Sequence, residues 1–480
     1  MARLLWTDPF WNGKRKPFVI GVVMSSLSVI MMFFVVMSYL YGSLYKSPSR
    51  AHRLNILAVD YDGGVIGQSL SAGYSALKGD KFPTLHFHSP DEFRTVEDIR
   101  NAVCRGDYWA AIVAQDGASS RLSAALGGGI AAAGYNSSNT LTYVYNEARY
   151  PTVQSGYILS NMQTLIGAAG TIYGSLNGTS AVQFLNTNDP NATLALMNPI
   201  SASSINIMPT PQGTKVLYNT VTLVLPIIQQ FFFLMALNGI SHQFGIYGYL
   251  SSLHVGLIRM IVAISYTFLA SLTLAGYVWI FKEDWGVTGG QFMLTWMAMW
   301  LYMHVNFLVL DAATAFVPLS FLTFFVLPWA IINITSTIFP FELSPGLYRL
   351  GYALPGHQIV SILFQVWSGG CNNQLGRSLP VLFGWEIIGG VASGWGVVYR
   401  NKAAREEVLK AEAGSKQPPQ SSSSTQRILR KSEGHVGESR NKAERRNTGP
   451  PGLPMPFQGM YLSAQEGGEM ELENMKSKRT

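Results

Sequence analysis

Apolar residues in this chain run in long unbroken blocks, not in the alternating or three-to-four spacing of soluble elements. Asp, Glu, Lys and Arg are absent from residues 17–45, 216–258, 260–281, 285–310 and 312–341, and residues 379–399 hold only Glu386. A bilayer crossing needs about 20 mostly apolar residues. The pattern therefore predicts six spans, at about 18–40, 217–238, 258–281, 291–310, 314–337 and 380–399. The second half of 216–258 carries Gly239, Ser241, His242, Gln243, Gly245, Gly248 and His254, and reads as a connecting loop. The first block is too long for the apolar core of a signal peptide and no small-x-small site follows it, so it reads as a retained anchor.

Residues 46–214 change character. Short apolar runs at 54–59, 84–88, 108–114 and 141–145 predict strands, and 66–77, 119–126 and 151–176 predict helices. Ser89, Pro90 and Glu92 predict a capped helix start running through Cys104, with Phe93, Val96, Ile99, Ala102 and Val103 at helical spacing. The glycine-rich run 127–134 predicts a flexible loop, and 199–213 an extended return to the membrane. Residues 342–367 are apolar but broken by Pro345, Gly346, Pro355 and Gly356, which predicts two short helices. Residues 401–480 contain two aromatics, Phe457 and Tyr461, and predict a disordered tail, with 403–413 prolonging the last span. The fold class is thus a polytopic α-helical membrane protein. Six transmembrane helices carry an α/β extracytoplasmic domain inserted between helices 1 and 2. Its parts are residues 1–17, 18–45, 46–214, 215–400 and 401–480.

Composition agrees: 48% of the 480 residues are apolar and 13% charged, about half the charged share of soluble domains. The formal charge of +7 points to topology and membrane lipids as partners. The sequence has no aromatic-interleaved basic groove for nucleic acid. Arg3, Lys14, Arg15 and Lys16 precede the first span and Arg400, Lys402 and Arg405 follow the last. Both termini are therefore expected in the cytoplasm. Three glycosylation sequons, at Asn136, Asn177 and Asn191, fall in the inserted domain and favour an outside placement. A fourth, at Asn333, falls within a span and should stay unmodified. The two cysteines, Cys104 and Cys371, exclude a cysteine-rich metal site. Either a disulfide joins the domain to the 342–367 segment, or both are buried thiols.

Several residues are candidates for chemistry. "ILAVDYDGGVIG" (56–67) ends a strand in Asp60-x-Asp62-Gly, as Asp-dependent phosphohydrolases do. That chemistry also needs a downstream lysine and a second acidic pair to hold a cation. Only Lys78 and Lys81 follow within the domain, so the reading is a turn in which Asp60 and Asp62 accept backbone N–H groups and Gly63 and Gly64 supply positive φ. No enzymatic activity and no cofactor or metal are expected. No phosphate-binding Gly-x4-Gly-Lys-Ser/Thr loop occurs, so ATP hydrolysis would need a separate ATPase subunit. Glu386 in the last span is a candidate proton or cation site, or an interfacial acid paired with Arg377. His304 and Asn306, with Gln229 and Gln230, line a polar path or make helix–helix hydrogen bonds. Pro226, Pro318 and Pro328 should kink their spans.

The layout of one span, an external α/β domain and five more spans resembles the membrane subunit of type-2 ABC exporters, including the phage-infection-protein group. The turn at 60–64 and the strand after Arg105-Gly106-Asp107-Tyr108 carry that likeness. A closer resemblance is to the fungal nitrosoguanidine-resistance family. It rests on "WTDPFW" (6–11), "VDYDGG" (59–64), "YNEARY" (145–150), "FPFELSPGLYRLGYALPGHQ" (339–358) and "WSGGCNNQLGRSLP" (367–380), and covers residues 6–400. The resemblance implies a plasma-membrane or endomembrane protein tied to tolerance of toxic compounds. It also implies a re-entrant hairpin at 342–367, and puts the 238–254 loop where exporters dock an ATPase. The expected function is exporter-like, moving amphiphilic toxic compounds or lipids or controlling their sidedness, with a homodimer as one assembly. The alternative is a non-transporting organiser or receptor-like scaffold acting through the external domain.

Overall fold

The computed structural model describes residues 6–415, and the predicted disordered tail from 416 onward lies outside the described residues. Six described helices are long and apolar enough to cross a bilayer. The first, α1 (Arg15–Leu44), spans 30 residues. Phe18, Ile20, Met24, Ile30 and Phe34 stand exposed along it, as side chains that meet lipid do.

The polar segment that follows in sequence folds as β1 (Asn55–Asp60), α2 (Val65–Leu77), β2 (Thr84–His88), α3 (Val96–Arg105), β3 (Ala110–Ala114), α4 (Ala118–Leu126), β4 (Leu141–Tyr145), α5 (Ser160–Phe184), α6 (Pro190–Met197) and β5 (Ala202–Asn206). The sheet order is β2-β1-β3-β4-β5. β1 runs parallel to β2 and β3, β3 antiparallel to β4, and β4 parallel to β5. Buried side chains alternate between the two faces. Ile56, Ala58 and Ile112 pack with Ile66 and Leu70 of α2 and Leu165 and Ala169 of α5. Leu57, Val59, Ala111 and Val113 pack with Ile99, Ala102 and Val103 of α3. Two covered faces explain why β1 and β3 read as continuous apolar runs.

This domain departs from expectation in four places. α3 starts at Val96, not at Ser89. Thr95 caps it, its Oγ1 accepting from the Asp98 N–H at 3.1 Å while Asp98 Oδ2 accepts from the Thr95 N–H at 3.0 Å. Glu92 is engaged by His88 Nδ1 at 2.7 Å, so Ser89–Glu92 closes only a turn. The return segment forms an edge strand, β5. The 127–134 loop contains a short helix, Gly129–Ala133. Finally, Gly63 has φ +60°, but Gly64 sits at φ −105°. Glycine is needed at 64 for space, since a Cβ there would lie 2.5 Å from Ser119 Oγ.

The remaining helices form the bundle: α7 (Val221–Gln243), α8 (Ser252–Ile280), α9 (Gly289–Phe316), α10 (Thr323–Ile338), α11 (Pro355–Trp367) and α12 (Leu375–Ser415). α7 extends past Asn238 and the short helix Ile246–Tyr249 follows it, so the expected loop is partly helical. Pro226 and Pro328 lie inside α7 and α10, whereas Pro318 sits in the break after α9. α11 and the 3-10 turn Gly346–Ala353 are the two short helices read from residues 342–367. α12 is one helix of 41 residues that includes 403–413.

Domain and bundle share one core. Tyr150 packs edge-on to Phe364, with ring centroids 4.7 Å apart, and Tyr218 lies between Trp285 and Trp367. Lys215 Nζ donates to Glu147 Oε1 at 2.7 Å. Cys104, at the end of α3, is bonded to Cys371 in the α11–α12 loop, with Cα atoms 4.6 Å apart.

Candidate functional site

Apolar helices in a bilayer gain little from packing on one another, so polar groups between them stand out energetically. One such group lies where α8, α9 and α12 meet. A cavity of about 310 Å³ opens there, lined by Arg259 and Met260 of α8, His304 and Asp311 of α9, and Glu386 and Ser393 of α12, among others. Small residues make the room: Gly256, Ala263, Gly390 and Gly394 also line it.

Glu386 and His304 meet in this cavity, Nδ1 of the imidazole lying 2.5 Å from Oε1 of the carboxyl. His304 Nε2 and Glu386 Oε2 are buried and have no hydrogen-bond partner in the protein. A buried polar atom without a partner carries a free-energy cost, so this pair can accept a proton, water or polar cargo group. Eleven residues separate Glu386 from the start of α12, or about 16 Å of helix. It lies about three turns into α12, and Arg377 is not its partner: that guanidinium stacks over the Tyr352 ring at 3.7 Å.

The inner charge cluster escaped the sequence reading. Asp311 is buried and accepts from Arg259 Nη2, from Ser393 Oγ, and from Arg400 Nη1 at 3.0 Å. Arg400 also donates to the Asp311 and Thr314 oxygens, and Arg259 Nη1 to the Tyr247 hydroxyl. The clue was present: Arg259 and Asp311 are the residues that cut the apolar runs at 258/260 and 310/312. Helical geometry places Arg259 about two turns and Asp311 about one and a half turns inside their helix ends, so both are held between helices and not on flanking loops.

The other candidates do not join this cavity. Asn306 is buried toward α10, accepting from Trp329 Nε1 at 2.9 Å and donating to Tyr302 O at 2.8 Å. Gln229 lies against the Tyr266 hydroxyl. Gln230 is fully buried with both side-chain polar atoms unpartnered. The five candidates therefore divide into the Glu386–His304 pair and three residues elsewhere in the bundle.

In the α/β domain, Asp60 and Asp62 are spent on structure. Asp60 Oδ1 accepts from the N–H groups of Asp62 and Gly63, both at 3.0 Å. Asp62 binds Ser119 N at 2.7 Å and the Ser119 hydroxyl, tying the β1 turn to α4. Among the described residues no group of three His, Cys, Asp or Glu side chains could hold a metal ion. Asn136 and Asn191 are exposed, whereas Asn177 Nδ2 donates to Tyr173 Oη at 3.2 Å. Asn333 is buried, donating to Trp329 O and accepting from Gly356 N.

Against known proteins, the chain is 23% identical over 417 residues to an uncharacterized endoplasmic reticulum membrane protein of Saccharomyces cerevisiae, covering 78% of this chain and 79% of that one. No solved structure matches it. Residues 25–391 match the family described as "Protein of unknown function (DUF3533)", and this multi-pass membrane protein belongs to that family.

Proposed function

We propose that the protein is an exporter-like membrane protein that moves amphiphilic compounds or lipids, or sets their sidedness. The cavity between α8, α9 and α12 would be its polar path. The observation carrying this is the Glu386–His304 pair, which meets inside a cavity deep in the bundle and keeps one idle polar atom on each partner. Ionisable groups are expensive at that depth and are retained chiefly where they do work. Glu386 and His304 would pass a proton or hold a polar head group, and the Arg259–Asp311–Arg400 cluster would close the path at its other end. The resemblance to the nitrosoguanidine-resistance family adds the tolerance role. The likeness to type-2 exporters adds α11 and its preceding turn as an outer gate.

We place the α/β domain and the α11–α12 loop on the oxidising side, because disulfides such as Cys104–Cys371 persist there. Both termini would then face the cytoplasm. The yeast relative's name points to the endoplasmic reticulum membrane in preference to the plasma membrane. A separate ATPase would dock near Ile246–Tyr249, and its co-purification would identify the energy source.

The test is reconstitution of the full chain in vesicles, following labelled lipid and an amphiphilic dye across the bilayer. Glu386→Gln removes the ionisable partner of His304, so movement should fall at least about tenfold, equivalent to about 1.4 kcal/mol in the barrier. Absence of movement by the parent protein under ATP, proton or potential gradients would overturn the transport reading.

A further inference from the structure

A second polar cleft, of about 120 Å³, lies at the seam between the α/β domain and α11 and is separate from the Glu386 cavity. Two guanidiniums reach it from different elements. Arg149, from the "YNEARY" segment, stacks on the Trp109 ring at 3.9 Å, and Arg377, from the first turns of α12, stacks on Tyr352 at 3.7 Å. Stacking holds each group flat and leaves its N–H edge free to donate. Among the described residues neither arginine forms an ion pair. The Arg149 side chain donates only to the Gly106 and Tyr108 carbonyls, at 3.3 and 3.5 Å, and the Arg377 side chain makes no hydrogen bond. Glu342 lines the same cleft without reaching ion-pair distance of either. Its charge is the largest pull opposing the burial that holds the Arg149 guanidinium below its ordinary pKa. Two cations therefore face one carboxylate.

The backbone around the cleft is unusual as well. Among the described residues, four non-glycines have positive φ, and two of them, Tyr150 (54°) and Asn372 (59°), line this cleft. Such conformations persist where surroundings enforce them, and they concentrate at binding sites. Asn372 follows the Cys371 disulfide and donates its N–H to Cys104 O, so a covalent clamp fixes that wall.

We propose that this cleft binds an oxyanion of the phosphate class. One planar fork matches the two coplanar oxygens of a carboxylate, whereas two forks from different directions suit the spread oxygens of a phosphate. Gln374 and Asn372 supply further polar edges. Arg377 stands exposed at the rim, close to the start of α12 and so near a membrane surface. The oxyanion can thus belong to a lipid head group or be free in solution.

The experiment uses the full chain. Thermal unfolding is followed in detergent with inorganic phosphate added, and lipid retention by native mass spectrometry from phosphatidylcholine nanodiscs with and without phosphatidic acid. A rise in unfolding temperature with inorganic phosphate assigns the free ion. Retained phosphatidic acid without that rise assigns the lipid. Arg377→Gln, at the exposed rim, should weaken whichever binding is seen about tenfold, the loss of one charge-assisted contact. Arg149→Gln should do so too, and if that variant fails to fold, Arg377→Gln decides alone. No binding of either probe, or binding unchanged by Arg377→Gln, overturns the proposal. Glu386→Gln should leave this binding intact, so its failure and the failure of the transport reading are distinguishable.

Discussion

Asp311→Asn is expected to be among the most damaging single changes in the bundle. The Asp311 side chain is 1% exposed, and Arg259 and Arg400, its two ion-pair partners, are 5% and 11% exposed. Neutralising the carboxylate leaves two guanidiniums without a counter-charge and points an amide N–H₂ toward donors. Breaking a buried pair by removing one partner costs about 3–5 kcal/mol. Unfolding entropy of about 2 cal/mol/K per residue over roughly 400 residues converts that to a fall of about 3–6 °C in unfolding temperature. Arg400→Met is the contrast. It leaves the Arg259–Asp311 pair and the Ser393 bond in place, so its cost should be well under half as large. The assay is thermal unfolding of the full chain in detergent, with the two variants side by side. Equal losses, or an Asp311→Asn protein as stable as the parent, would refute the view that this carboxylate is the shared counter-ion of both arginines.

Three further outcomes are expected. Cys104→Ser should abolish the mobility difference between reduced and non-reduced gels. With a sequence separation of 267 between the cysteines, chain-entropy reasoning sets the stability loss at up to about 5.6 kcal/mol, and restraint of the unfolded chain by its spans should make it smaller in thermal unfolding. Burial raises the Glu147 carboxyl, but bonds from Lys215, Thr210 and Asn206 outweigh it and hold the pKa below its ordinary value of 4.5. Its contribution is therefore present above that value and lost as pH falls through the lower folded one. Unfolding temperature against pH should show less acid destabilisation in Glu147→Gln than in the parent. Of the three sequons, Asn136 and Asn191 are open and Asn177 is bonded to Tyr173. Endoglycosidase treatment should shift the parent, lose most of the shift in an Asn136→Gln, Asn191→Gln double variant, and change little with Asn177→Gln. No shift in the parent would count against the outside placement.

The spans were legible because length and apolarity alone distinguish them, although some ends moved: the α10 helix begins at Thr323 and not near 314, and α12 runs on past 399 to Ser415. Strands β1 to β4 were legible from short apolar runs. β5 was not, since "ASSIN" has no apolar run and becomes a strand only by pairing with β4. The sequence offered Ser89 as the cap of α3, six residues before the observed cap, Thr95. Glu92, the expected partner of Ser89, is taken instead by His88, four residues before it in the chain, and Thr95 caps the helix. At the cavity, each of Glu386 and His304 was visible alone as a polar residue in an apolar run. Their meeting, and the Asp311 cluster beside them, depend on which helix faces are turned together. No single-helix pattern carries that, since neither α9 nor α12 gathers its polar residues onto one distinct face.

The disulfide bears on how the chain enters its membrane. Between Cys104 and Cys371 lie four of the six candidate spans, α7 to α10. An even number of crossings returns both thiols to one side. If any one of those helices failed to insert, or two inserted as one, the thiols would face opposite compartments and never meet. Oxidation therefore works as a parity check on biogenesis. Only a chain with an even count of crossings between the cysteines can be sealed into the ring that fixes the α/β domain to the last helix, and a chain with an odd count stays open and marked by two free thiols.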